Sequence, residues 1–253
     1  MIKKLYNKKS KDILIENLEA ETFNRITCSF YNYIKINSPF DFRNKLYSLF
    51  HTLNIFGRIY VADEGINAQI SVPSHNWANF LKTISEISEL SNVQIKKAIS
   101  EGISFYKLVV KVKKEIVAYR IPKNKYNMKI IGKHLSTEQF NSAINKEQTT
   151  IIDMRNIYES EVGKFKNAEI PQVEKSKDLL PEVRRMLKGR EHHQVLLYCT
   201  GGIRCEKASS FLINEGIENV KQLKGGIIQY AHDIKKNGVK SKFIGKNFVF
   251  DAR

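Results

Sequence analysis

An α/β fold in two parts is what this sequence predicts, on three observations. From about Asn24 to Tyr119 the apolar residues fall in a β-α-β-β-α-β order. After Ser136, strands that are apolar on nearly every residue alternate with short helices, the pattern of a parallel sheet covered by helices on both faces. Between these stretches lies a polar, basic connector, "RIPKNKYNMKIIGKH", that keeps neither period. The split order of the first part is the ferredoxin-like (βαββαβ) plan. The expected divisions are a basic extension over residues 1–21, a ferredoxin-like domain over 22–125, a linker over 126–135 and a second domain with a C-terminal tail over 136–253.

Each element has a local reason. "RITCSFYNYIKI" alternates as a strand does, and Cys28 within it reads as core. In "SPFDFRNKLYSLFHTLNI" Ser38 is placed to cap and Pro39 to open a helix, with Phe42, Leu46, Leu49, Phe50 and Leu53 on one face. "GRIYVADEGINAQISV" reads as two strands about a turn at Asp63–Asn67, and "SHNWANFLKTISEIS" as a helix capped by Ser74. "YKLVVKVKKEIVAY" is expected to close the first domain as a strand. In the second, Ser136 and Gln139 are spaced for a capping box. The strands there are "TTIIDM", "QVLLYC" and "NVKQL", and the helices are "LLPEVRRMLKG", "IRCEKASSFLINEG" and "GIIQYAHDIKKNG".

The 253 residues are 42% apolar and 27% charged, with no apolar run near the roughly 20 residues that span a bilayer. The start, "MIKKLYNKKSKD", lacks the apolar core and cleavage site of a secretory signal, so a cytoplasmic protein with no membrane partner is expected. Three cysteines are too few for a disulfide framework and match no zinc spacing, and the six histidines form no ligating pair, so no metal is expected. No flavin, haem or iron site is evident. The net charge of +16 favours a polyanionic partner, of which nucleic acid is the commonest; the alternative is a solvated lysine-rich surface.

The chemistry concentrates in "LLYCTGGIRCEKASSF". A buried strand delivers Cys199 to the C-terminal edge of a parallel sheet, where α/β proteins gather ligands. Thr200, Gly201 and Gly202 allow a tight curl of inward N–H groups, and Ile203 and Arg204 begin a helix whose positive end faces the sulfur. Backbone donors, a helix N-terminus and a guanidinium all favour a thiolate, which is a nucleophile's setting. The C-x4-R spacing is one residue shorter than the phosphate cradle of tyrosine phosphatases, and a smaller ring suits a sulfur on Cys199 better than a phosphate.

"IIDMRNIYESEVGKFKNA", "YCTGGIRCEKAS" and "QLKGGIIQY" resemble the three landmarks of a rhodanese domain, so the second part is expected to be rhodanese-like. The wording is closer to one family still. "ADEGIN", "LVVKVKKEIVAY", "RNIYESEVGKF", "CTGGIRCEKAS" and "FIGKNFVFDAR" resemble, in order and from about Thr22 onward, segments of the rhodanese-containing tRNA uridine hydroxylases. That resemblance implies a loop cysteine used as thiolate or persulfide, tRNA as partner, molecular oxygen as co-substrate, and 5-hydroxyuridine at the wobble position as product. It implies supporting roles for Asp153, Arg155 and Glu159, with Gly163 in the matching segment, and places Glu64, Gly65 and Asn67 toward the rhodanese pocket. Two departures stand out. "VEKSKDLLP" lacks the Thr-Phe-Arg frequent in relatives, and the sequence ends at Arg253 where many relatives continue into a cysteine-rich tail, whose role is expected to be absent.

Several residues keep two readings. Cys205 either resolves an oxidised or persulfidated Cys199 or packs the helix on the sheet. Arg204 either acts on the nucleophile or pairs with an acid such as Glu159, and Asp153 either orients the loop or touches substrate. Lys111 and Lys113 form either a phosphate-contacting stripe or a solvated strand edge. The rival functions are a persulfide sulfurtransferase and a non-catalytic RNA-binding module.

Overall fold

The computed structural model describes residues 5–99, 102–249 and 251. Residues 1–4 of the basic extension, and Phe250, Ala252 and Arg253 of the "FVFDAR" stretch, lie outside the described residues. The chain divides into two units, one of residues 1–116 and 250–253, the other of 117–249.

Before the first unit's sheet comes a helix that the basic composition hid, α1 (Lys11–Glu19), capped by Ser10 Oγ on the Ile13 N–H at 3.4 Å. The sheet is built from β1 (Arg25–Tyr33), α2 (Pro39–Thr52), β2 (Phe56–Ala62), β3 (Gly65–Pro73), α3 (Trp77–Ser85), β4 (Lys96–Lys97) and β5 (Leu108–Val112). Its order is β4-β1-β3-β2-β5. The first four are the ferredoxin-like order, and the fourth strand is a two-residue pairing of Lys96–Lys97 antiparallel to β1. The strand expected to close the domain, "YKLVVKVKKEIVAY", instead runs parallel to β2 as an added fifth strand and ends at Val112. Beyond Glu115 the chain leaves this sheet, and Val117 and Tyr119, expected at the end of the first domain, pack in the core of the second unit.

Phe42, Leu46 and Phe50 of α2 are buried in the first core as their spacing predicts, with Cys28, Ile59, Ile70 and Phe80. Ser38 bonds Asp41 and makes no side-chain cap to the backbone. Ser74 opens a short 3₁₀ turn that precedes α3, so it does not cap that helix. The hairpin loop is shorter than expected, because Ala62 pairs directly with Gly65 and leaves Asp63-Glu64 as a two-residue turn. Gly65 has φ +143, and a Cβ there would stand 2.0 Å from the Asn32 carbonyl oxygen, so only glycine fits.

The second unit runs β6 (Lys133–Leu135), α4 (Thr137–Ala143), β7 (Thr149–Asp153), α5 (Ile157–Val162), β8 (Gly163–Phe165), α6 (Ser176–Met186), β9 (Gln194–Tyr198), α7 (Ile203–Asn214), β10 (Val220–Leu223), α8 (Gly226–Asn237) and β11 (Phe243–Gly245). The order β6-β10-β9-β7 is parallel throughout, and β6 falls in the stretch expected as linker. The capping box of Ser136 and Gln139 forms on α4 as its spacing predicts. Alternate residues of β9 serve two cores: Val195, Leu197 and Cys199 pack with α6 and α7, while Leu196 and Tyr198 pack with Phe140, Phe165 and Tyr230. A sheet buried on both faces explains why these strands read as unbroken apolar runs. The small antiparallel pair of β8 and β11 sets Phe165 against Phe243, ring centroids 5.3 Å apart.

Among the described residues no helix is long and apolar enough to cross a membrane. Phe50→Ala should cost the first unit about 3–5 kcal/mol, since it empties a site with no solvent exposure. Phe40→Ala, at a side chain 70% exposed, should cost less than about 0.5 kcal/mol. Urea denaturation followed by the loss of β-sheet circular dichroism measures both, and equal costs would contradict the core assignment.

Candidate active site

The loop from Cys199 to Arg204 lies at the C-terminal end of the central strand β9, between two helix N-termini. Cys199 is fully buried, and its Sγ accepts the Gly202 N–H at 3.1 Å. Gly202 takes φ +99, the left-handed turn that lets its N–H point inward before α7 begins. Burial pushes the Cys199 thiol up, but donation from the Cys205 thiol, the Arg204 charge and the backbone N–H groups of Cys205 and Arg204 outweigh it. The net result is a thiol lowered from 9.0 to about 6. Burial pushes Cys28 and Cys205 the other way, so Cys199 is the cysteine held as a thiolate at neutral pH.

A second glycine pair completes the cradle. Gly225-Gly226 opens α8, whose first free N–H groups, from Ile227 and Ile228, donate to the Cys199 and Thr200 carbonyls at 3.0 and 3.1 Å. Gly226 has φ +68, and a Cβ there would stand 2.5 Å from the Cys199 oxygen and 2.6 Å from that of Thr200. The "KGGIIQ" pair is the signal from which this role can be read, because only a bare backbone comes so close. A Cβ on Gly201, by contrast, would meet nothing within 4 Å, which marks the loop's open side. Ile203 is partly buried against the core under α7.

Arg204 pairs with Glu159 and also stands close enough for its charge to bear on the thiol. Its fork grips Glu159 at 2.6 and 2.9 Å and reaches Thr200 Oγ1 at 3.2 Å, while its charge favours the thiolate. Glu159 also accepts the Asn156 N–H at 2.9 Å in the capping box of α5, so the pair ties α5 to the loop. A guanidinium already held bidentately by a carboxylate is not offered to a phosphate, which agrees with the short C-x4-R spacing.

Asp153 and Arg155 form a separate, fully buried network. Arg155 Nε and Nη2 donate to Asp153 Oδ1 and Oδ2 at 2.9 and 2.7 Å, and Tyr198 OH and Ser160 Oγ donate to Asp153 Oδ2 at 2.7 and 2.8 Å. Arg155 also donates to the Gly163 carbonyl. These groups fix the end of β7 and the turn into α5, which carries Glu159. Asp153 is itself fully buried, and these side-chain bonds go to residues outside the Cys199–Arg204 loop. Cys205 is buried in the core under α7 with its thiol donating to Cys199.

In the first unit, Glu64 Oε1 accepts the Ile116 N–H at 2.8 Å, and Asn67 Nδ2 reaches the Ile116 carbonyl at 3.5 Å. These two side chains hold the chain where it leaves that unit. Lys111 is exposed on the outermost strand, and Lys113 lies just past its end with Nζ 5.4 Å from the Tyr60 ring centroid. Among the described residues no group of three or more His, Cys, Asp or Glu is placed to hold a metal ion.

Comparison with known proteins agrees with this arrangement. A family model described as an acylphosphatase-like domain matches residues 25–116, and one described as a rhodanese-like domain matches residues 136–233. A protein of Leptospira interrogans named tRNA uridine(34) hydroxylase is 46% identical over 98% of this chain and 68% of its own length. Proteins of the same name from Photorhabdus laumondii and Buchnera aphidicola are each 43% identical over 98% of this chain, and over 71% and 77% of their own. The chain belongs to the tRNA uridine(34) hydroxylase family. Both expected folds are therefore those of the family, with the acylphosphatase-like domain in the place of the ferredoxin-like plan.

Two outcomes follow from the geometry. The folded thiol titrates near 6 and the ordinary one at 9.0, so the unfolded chain binds more protons between those values. Stability of the wild type relative to Cys199→Ser should therefore rise with pH across that window and fall away as pH drops through about 6. Urea denaturation of both proteins at a series of pH values checks this, and a flat difference would refute it. Gly226→Ala should destabilise the loop by more than about 1 kcal/mol and raise the Cys199 pKa, because the cradle must open to admit a methyl group. An unchanged thiol titration in that variant would show that the second helix plays no part.

Proposed function

We propose that this protein hydroxylates the wobble uridine of tRNA at C5, with molecular oxygen as co-substrate and Cys199 as the nucleophile. The observation that carries this reading is a buried loop thiolate in a chain that matches tRNA uridine(34) hydroxylases over 98% of its length. In this reading the Cys199 sulfur adds to C6 of the uracil ring. The new S–C6 bond places the displaced electron pair on C5 and its carbonyl neighbour, so that C5 takes one oxygen atom of O2. The other leaves as water with two electrons and two protons from an external two-electron donor, and loss of the C5 proton expels the Cys199 sulfur and restores the ring. The N–H groups of Gly202, Arg204 and Cys205 keep the sulfur anionic before it adds and stabilise it again when it leaves. Gly201 leaves the loop's face open to a flat base. The reaction belongs in the cytoplasm, where tRNA is found.

Glu159 and Arg204 position the loop in this scheme, and Asp153 and Arg155 position Glu159. Glu64, Gly65, Asn67, Lys111 and Lys113 are proposed as substrate-facing residues on the strength of the family resemblance. The rhodanese-like domain also supports a persulfide form of Cys199 beside the thiolate.

The test is nucleoside mass spectrometry of total tRNA from a strain lacking the gene, complemented with wild type or with Cys199→Ala. Loss of 5-hydroxyuridine derivatives, restored only by wild type, is the expected result. Restoration by Cys199→Ala would remove the nucleophile from the mechanism. Unchanged modification in a strain with no second route would overturn the function.

A further inference from the structure

The basic connector, together with the end of the stretch expected as the closing strand, is hydrogen-bonded to α7. Tyr119 OH donates to the Arg204 carbonyl at 3.1 Å, at the first turn of α7. Lys207, fully buried, donates to the Val117 carbonyl at 3.4 Å and lies 4.8 Å from the Tyr126 ring centroid. Ser210 Oγ accepts the Asn127 N–H at 2.8 Å and donates to the Asn127 carbonyl at 2.7 Å. Ser209 Oγ accepts the Gly132 N–H at 2.9 Å, and Lys125 reaches Glu215 at 3.0 Å just past the end of α7. The segment thus follows α7 from the Cys199 loop toward its far end and returns. Buried polar side chains on a helix are costly unless partnered, so several of them spent on one connector specify its course closely.

The outer side of this strap carries one sign of charge. Arg120, Lys123, Lys125, Lys129 and Lys133 are all exposed, and no Asp or Glu occurs between Val117 and Ser136. Among these, Lys125 shares its charge with Glu215, whose side chain is 25% exposed. A flexible basic linker would be an ordinary solvated surface. A basic track fixed by hydrogen bonds, starting at a nucleophile's loop and extending along a helix about 18 Å long, matches a charged polymer.

We propose that residues 117–133 form a phosphate track that binds the backbone of the substrate RNA flanking the uridine presented to Cys199. This rests on the tRNA reading above and names a surface for it. Backbone binding through lysines positions the RNA without reading its sequence, and removing a lysine that pairs with a phosphate lowers the salt dependence of binding. Basic side chains carried along a helix-bound strap favour an RNA strand over an anionic membrane, which would call for a broad apolar face, whereas the large apolar side chain exposed among them is Ile130.

The experiment uses the full chain and an unmodified tRNA transcript with uridine at the wobble position. Binding is measured by fluorescence anisotropy over a range of salt concentrations for wild type, for K123Q/K125Q/K129Q and for K82Q/K177Q/K188Q. The control removes the same charge from exposed lysines elsewhere. The track variant should bind on the order of tenfold more weakly, with a log–log salt slope lower by about 2–3, while the control changes less than about twofold. An unaltered Cys199 titration in the track variant shows that the loop is intact. Equal weakening of both variants, or of neither, with wild type binding normally, would overturn the track and leave the function standing. Failure of the wild type to bind tRNA would overturn both.

Discussion

A negative sulfur buried in a protein core needs compensation, and the second unit is organised around supplying it. Transfer of an uncompensated ion from water costs several kcal/mol even after relaxation, so a thiolate with no solvent exposure exists only if donors surround it. Here they come from Gly202, from the start of α7, from the Cys205 thiol and from the Arg204 charge. Every one depends on the curl of the chain after β9. That curl in turn is held from beneath by α8, through Ile227 and Ile228, and from the side by Glu159.

The supporting layers have distinct tasks. Asp153, Arg155, Ser160 and Tyr198 are hydrogen-bonded to one another with no exposed member, and so they fix the turn into α5. Glu159 sits at the join, capping α5 with one oxygen while both oxygens hold Arg204. The two glycine pairs divide the work of the backbone. Gly202 turns an N–H toward the sulfur, and Gly226 lets a second helix approach within a distance that any side chain would prevent.

Much of this was legible in the sequence, for physical reasons. An all-apolar strand ending in Cys199, followed by two glycines and an arginine, admits few conformations, and the Ser136/Gln139 spacing is a local rule with a local outcome. The features that escaped are tertiary. A two-residue strand such as Lys96–Lys97 has no period to detect, and the strand from Leu108 was sound as a strand but paired at the opposite edge from the one expected. The burial of Arg155, Lys207 and Glu206 could not be read from the sequence, because pattern alone cannot show that a partner will be brought to a charge. Residues 120–132 looked like a connector, and Val117 and Tyr119 like the end of a strand, for the same reason: their partners lie on a helix more than 70 positions away, as with Asn127 and Ser210.

The central claim is that the fold holds Cys199 as a thiolate at neutral pH. The most direct measurement is the ultraviolet thiolate absorbance of the intact protein, titrated between about pH 4 and 10, with the curve of Cys199→Ser subtracted. The difference should show one ionisation near pH 6, with no contribution from the buried thiols Cys28 and Cys205 in the neutral range. An ionisation at or above the ordinary thiol value of 9.0 would contradict the account, because the donors around the loop would then be failing to offset burial.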